Sequence, residues 1–145
     1  MKILFVHDNA KASVRRLLAK ETSISIIEAQ TDRDALYLCR RGRPDLTILD
    51  LDRRAFSGFT LLRLLVDSRK AVRVLVLGGR SEPFYVARYL QAGALGYLSG
   101  NAGIEELVTA VRRTAKGDYY VEREIAVQLA IGRTSSGNIG STDKL

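Results

Sequence analysis

Apolar residues along the chain fall into two kinds of pattern. Short, nearly continuous apolar runs occur at "KILFVH" (2–7), "SISIIEA" (23–29), "LTILDL" (46–51), "VRVLVLG" (72–78) and "LGYLS" (95–99). Runs of this length without clean alternation suit strands buried on both faces, as in a parallel sheet. Between them the spacing becomes helical. Ala10, Val14, Leu17 and Leu18 form one stripe, and Leu61, Leu62, Leu64, Leu65 and Val66 make a heavily apolar third helix. Val86, Ala87 and Leu90 follow Pro83, a residue suited to the first turn of a helix. Ile104, Leu107, Val108, Val111 and Ala115 have the spacing of a surface helix with one buried face. Glu105 and Glu106 lie in its first turn and Arg112, Arg113 and Lys116 near its end, as the helix dipole favours.

The sum is five strands alternating with five helices. That order predicts an α/β fold with a doubly wound, five-stranded parallel sheet and right-handed crossovers. Ligands of such sheets sit beyond the carboxyl ends of the strands. Those ends present His7 and Asp8, then Asp50, then Gly78, Gly79 and Arg80, and finally Ser99, Gly100 and Asn101. After Gly117, Ile125, Ala126 and Leu129 mark one further short helix. From 132 to 145 the composition turns to Gly, Ser and Thr, which reads as a flexible linker or tail after a domain spanning 1–131.

Composition narrows the function classes. With 145 residues, 46% hydrophobic and 27% charged, the chain suits one soluble domain. No apolar run approaches the roughly 20 residues of a membrane span, and the N-terminus lacks a signal-peptide core. The single cysteine, Cys39, excludes an internal disulfide and sits in a helical pattern as a buried structural thiol. These features favour the cytoplasm. The net charge of +7 raises nucleic acid as a partner. The arginines are spread along the chain, however, with no interleaved aromatics, so solvated helix faces are the simpler reading.

The residues then resemble a known family, the response-regulator receiver domain of NarL/FixJ type, with its CheY-like, flavodoxin-like fold. The resemblance runs from residue 1 to about 131. It rests on "KILFVHD", "RPDLTILDL" (43–51), "VRVLVL" (72–77) and above all "YVARYLQAGALGYLSGNAGIEELVTAVRRTAKGDYYV" (85–121). It implies a non-enzymatic signalling module of a transcription regulator, phosphorylated on one aspartate by a partner histidine kinase. It also implies homodimer contacts, and DNA contact only through a C-terminal helix-turn-helix domain that residues 132–145 do not contain.

Carried over position by position, the resemblance makes Asp50 the phosphoacceptor candidate. Two acids after the first strand would hold a divalent cation; here they are His7 and Asp8. Asp52 would add a main-chain carbonyl. The hydroxyl residue ending the fourth strand is replaced by Gly78, the lysine near the end of the fifth by Gly100, and the proline after the nucleophile by Arg54. Tyr97 retains the switch aromatic. Phosphoryl transfer depends on positioning and charge stabilisation. Each missing donor would cost about 3 kcal/mol, roughly a hundredfold in rate, by analogy with a single oxyanion donor. Mg²⁺ prefers oxygen ligands, so Asp8, Asp50 and Asp52 beside His7 make a weak site for it, and no cofactor is expected. A His with carboxylates would also suit a softer metal, although an imidazole hydrogen-bonded at a strand end is the simpler role. Arg53, Arg54 and Arg80 lie on loops at the same sheet edge. Either one of them stands in for the cation or all three point to solvent.

Three readings remain open at this point, and His7, Gly78, Gly100 and Arg54 favour the first over the second. The first is a phosphorylation-independent interaction and dimerisation module. The second is a genuine phosphoacceptor at Asp50. The third is a pseudo-receiver sensing a small molecule in a pocket enlarged by Gly78, Gly79 and Gly100.

Overall fold

A computed structural model describes residues 1–7, 14, 18, 20, 23–52, 58–100 and 102–136, with side chains to 131. Six parallel strands form one sheet: β1 (Lys2–Val6), β2 (Ser25–Ala29), β3 (Leu46–Asp50), β4 (Val74–Gly79), β5 (Gly96–Ser99) and β6 (Tyr120–Val121). Their spatial order is β2-β1-β3-β4-β5-β6. The order reverses between β1 and β3, so the carboxyl ends of those two strands flank the crevice where such sheets place their sites. The described helices are α1 (Asp32–Gly42), α2 (Gly58–Ser68), α3 (Pro83–Gln91), α4 (Ile104–Ala115) and α5 (Arg123–Ser136).

The continuous apolar runs have a direct cause. Leu4, Val6, Leu49, Val74, Val76 and Tyr97 pack on one face of the sheet with Ala35, Cys39, Leu61, Leu62, Leu65, Val86, Tyr89 and Ile125. Their neighbours in sequence, Ile3, Phe5, Ile48, Leu75, Leu77 and Leu98, pack on the other face with Leu18, Leu107, Ala110 and Val111. Successive strand residues point to opposite faces, and both faces are covered, so polar alternation is lost. Cys39 is fully buried, as its helical setting suggested.

Local chemistry sets the helix ends. Thr31 caps α1 by accepting the Asp34 N–H on its hydroxyl at 3.1 Å, a contact worth about 1 kcal/mol. Pro83 opens α3 at the position where its missing N–H costs nothing. In α4 the inward face consists of Leu107, Ala110, Val111 and Thr114, whereas Ile104 is 57% exposed. Ile104 therefore belongs to the surface, not to the buried stripe that its spacing suggested.

Two further elements differ from the sequence reading. β6 is a sixth strand, pairing Gly96 with Tyr120 and Tyr97 with Val121. Two residues are too few to show periodicity. The helix expected around Ile125 runs to Ser136, into the stretch whose composition suggested a linker from 132. Val14 and Leu18 are helical, whereas Ala10 and Leu17 lie outside the described residues.

Several basic residues serve the fold. Arg69 donates to the carbonyls of Cys39 (3.1 Å) and Pro44 (3.0 Å), tying the end of α2 to the turn after α1. Arg73 donates to the Ala115 carbonyl at the end of α4. Lys2 donates to the Gly42 carbonyl at 2.9 Å. Part of the positive charge thus caps main-chain acceptors.

Candidate phosphoacceptor pocket

Asp50 is the last residue of β3 and is 3% exposed. Its Oδ1 accepts the Asp52 N–H at 3.0 Å, which folds the following turn back onto the carboxylate. Asp52 is exposed.

Opposite them runs Gly78 of β4. Its φ is +82°, and a Cβ placed on it would sit 3.0 Å from Asp50 Oδ1 and 3.1 Å from Asp52 Oδ2. The two carboxylates therefore converge on the space that a side chain at 78 would take. The pairing of β4 with β5 slips at this point, between Leu77 and Gly79. Position 78 thus has no side-chain hydroxyl, and its backbone has the left-handed form that an L side chain adopts only under strain.

Tyr97 of β5 is fully buried. Its hydroxyl donates to the Arg80 carbonyl at 2.8 Å. The same hydroxyl fills the place a side chain at Gly79 would need, 2.0 Å from a Cβ built there. Burial pushes the Tyr97 phenol well above its ordinary pKa, and the neighbouring phenols of Tyr85 and Tyr89 add to the shift. The rings of Tyr85 and Tyr89 lie 6.5 and 5.5 Å from it. Tyr97 is therefore held inward by a hydrogen bond and an aromatic cluster.

His7 follows β1 and is fully buried. Its Nε2 lies 2.6 Å from Glu28 Oε1 on β2, and its ring lies tilted against Phe5 with the centroids 4.5 Å apart. Among the described residues Nδ1 has no hydrogen-bond partner. The imidazole in the place of an acid is thus turned to Glu28, which matches the simpler role considered for it. Asp8, Arg53 and Arg54 lie outside the described residues. Among the described residues no three His, Cys, Asp or Glu side chains cluster as metal ligands. Mg²⁺ fits this part of the pocket poorly, because the imidazole contributes no hard oxygen and is already committed.

Arg80, named as one candidate cation substitute, is placed elsewhere. Its guanidinium grips Glu82 through two bonds of 3.1 and 2.9 Å, at 68% side-chain exposure. It also covers the Tyr85 ring at 5.4 Å. The Glu82 contact raises the pKa of Arg80 and lowers that of Glu82.

Gly100 is exposed at the end of β5, and a Cβ there would meet only the Gly78 main chain, with Gly78 O nearest at 3.7 Å. Beside it a cavity of about 150 Å³ opens between Leu77, Gly78, Leu98, Ser99, Ile104 and Leu107. Sequence reasoning assigned no role in the site to Ser99 or Glu122. Ser99 is buried, and Glu122 accepts its main-chain N–H at 2.6 Å and its hydroxyl at 3.2 Å. These residues are far apart in sequence, and no local pattern signals their contact.

A doubly wound parallel sheet carrying a buried aspartate at the end of β3, next to the strand-order switch and opposite an inward aromatic on β5, defines a receiver-type signalling domain. The comparisons agree. Residues 3–112 match the response regulator receiver domain family, and the chain belongs to it. The chain is 33% identical over 134 residues to the response regulator GacA of Pseudomonas aeruginosa, covering 90% of this chain and 63% of that protein. It is 31% identical over 128 residues to the response regulator UvrY of Escherichia coli, covering 88% and 59%. It thus spans less than two thirds of these relatives. Among solved structures, a LuxR-family two-component response regulator from Aurantimonas matches with a TM-score of 0.83 at 25% identity, over 92% of this chain and 97% of that one. The signal receiver domain of NarL from Mycobacterium tuberculosis matches with a TM-score of 0.71 at 28% identity, over 80% and 96%. Among the described residues no helix is long and apolar enough to cross a membrane.

Proposed function

We propose that the chain is the receiver-like module of a cytoplasmic two-component transcription regulator that works largely without phosphorylation, through dimerisation or partner contacts. The observation that carries this reading is Gly78, whose left-handed backbone brings it against the carboxylates of Asp50 and Asp52. The family uses a hydroxyl there to take up a phosphoryl oxygen. Here that role would require a different backbone conformation as well as a different side chain. Gly100 supplies no positive charge, and His7 is engaged with Glu28. DNA contact would belong to a helix-turn-helix domain of the family type, outside residues 1–145.

The surface through which copies pair is basic. Thr109, Arg112, Arg113 and Lys116 of α4 and its C-cap are exposed, and so is Lys20. Glu106 accepts the Tyr120 hydroxyl at 2.8 Å, and Glu122 is bound to Ser99, so both are engaged within the fold. Glu105 and Glu124 remain exposed, while Glu21, Arg15 and Arg16 lie outside the described residues. We expect a weak homodimer that added salt dissociates, because exposed charges are screened over about 8 Å at physiological ionic strength. Sedimentation velocity at low and high salt, on wild type and Asp50→Asn, tests this. The reading requires equal, salt-weakened association of both proteins. A monomer that dimerises only after phosphodonor treatment would support phosphorylation at Asp50 by a histidine kinase instead.

The cavity beside Gly100 favours a second reading, a small-molecule sensor. Its lining of Leu77, Leu98, Ile104 and Leu107 suits an apolar ligand of a few heavy atoms. Ligand-detected NMR with a fragment set would test it, and Gly100→Lys, which fills the cavity mouth, should abolish any binding found.

A further inference from the structure

β6 ends at Val121, and its pairing with β5 stops at Tyr97. Among the described residues, the β5 edge beyond Tyr97 therefore has no strand partner on that side. The next donor along it, the Ser99 N–H, is buried and must find an acceptor. Glu122, the first residue after β6, supplies one. Its Oε1 accepts the Ser99 N–H at 2.6 Å and its Oε2 accepts the Ser99 hydroxyl at 3.2 Å. A side-chain carboxylate thus continues a ladder that the main chain has left. Such charge-assisted bonds are shorter and stronger than neutral ones.

From Glu122 the chain enters α5, which lies along α3. The attachment is narrow. Ile125 is 4% exposed and joins the core of Val86, Tyr89 and Tyr97, and Leu129 is half-buried. Arg123, Glu124, Ala126, Val127, Gln128 and Ala130 are exposed. Among the described side chains, the Glu122 carboxylate, Ile125 and Leu129 anchor this segment on the α3–β5 face. Ser99 stands between two regions. It lines the cavity at the ends of β4 and β5 and also a second depression formed with Pro83, Glu122, Ile125 and Gln128.

We infer that α5 is a latched cover on the α3–β5 face, with Glu122 as the latch and the position of Ser99 as its control. A displacement of Ser99 from the cavity side breaks both Glu122 bonds and frees the helix that leads out of the domain. This device needs no hydroxyl at 78 and no lysine at 100. It goes beyond the proposed function, since a dimer or a ligand could exist without it.

Amide hydrogen exchange on the whole chain tests the device. In Glu122→Ala, exchange across 123–131 should rise at least about tenfold, the equivalent of losing a hydrogen bond to a charged group, while β1 and β3 keep wild-type protection. Glu122→Gln, which retains a neutral acceptor and folds even if the alanine variant does not, should give a smaller rise in the same segment. Ser99→Ala, which keeps the N–H bond, should give the smallest. Unchanged exchange in 123–131 for both Glu122 variants would overturn the latch. A uniform rise across β1, β3 and α5 would overturn it too, because Glu122 would then be an ordinary contributor to global stability.

Discussion

Gly78→Thr supplies the hydroxyl that the family resemblance assigns to this position and should nevertheless destabilise the protein. A non-glycine residue in the left-handed region costs about 1–2 kcal/mol, toward the upper end for a β-branched one. The new Cβ would stand 3.0 Å from Asp50 Oδ1 and 3.1 Å from Asp52 Oδ2, closer than ordinary contact, so the carboxylates or the strand must shift. Forced displacement in a packed site adds about 1–3 kcal/mol. A hydrogen bond from the threonine hydroxyl to a carboxylate returns about 1.5 kcal/mol, the low end for a bond to a charged group, because Asp52 is exposed. The net loss is about 2 kcal/mol. For a domain of this size that corresponds to a fall in Tm of roughly 5–8 °C. Gly100→Lys is the matched control. A Cβ there meets nothing closer than 3.7 Å, so the change should stay within about 0.5 kcal/mol. Thermal unfolding by circular dichroism, with urea titration of both variants, measures the difference. A Gly78→Thr protein as stable as wild type would refute the strained-backbone account and make the missing hydroxyl a simple substitution.

Further consequences follow from individual contacts. Glu28→Ala removes the partner of a fully buried imidazole and should cost about 1–2 kcal/mol by urea unfolding, with Glu28→Gln retaining most of the stability. No loss in either would mean that the pair does not anchor β1 to β2. Arg69→Ala leaves two carbonyls without their donor and should cost about 2 kcal/mol, against near-neutrality for the exposed Arg40→Ala. Tyr120 has its phenol pKa pushed up to about 12 by burial and the Glu106 bond. Because the folded value is the higher one, this contribution is intact below about pH 10 and is lost as pH rises through about 12. Tyr120→Phe should therefore lose less stability than wild type between pH 10 and 12, and parallel profiles would contradict that.

How much of this was legible follows from the range of the forces involved. The five long strands showed because both sheet faces are buried, which turns Leu4–Val6 and Ile3–Phe5 into one apolar run. The N-terminus of α3 showed because Pro83 acts locally. Asp50 showed because the end of a buried strand is a fixed place in such sheets. β6 escaped because two residues carry no period, and α5 ran past its apparent end because Gly- and Ser-rich composition does not by itself stop a helix. The left-handed Gly78, the grip of Glu28 on His7 and the reach of Glu122 to Ser99 depend on long-range neighbours. The sequence alone could not show what surrounds Gly78 and His7. Arg80, grouped with Arg53 and Arg54 by its place on the sheet edge, is engaged by Glu82 because that acid is only two residues away.

The central claim is that Asp50 sits in a receiver pocket whose phosphorylation chemistry has been lost. Intact-mass spectrometry after incubation with acetyl phosphate and Mg²⁺ tests it directly, with Asp50→Asn alongside. The account predicts identical, unmodified masses for both proteins. A mass increment of one phosphoryl group on wild type, absent from Asp50→Asn, would contradict it.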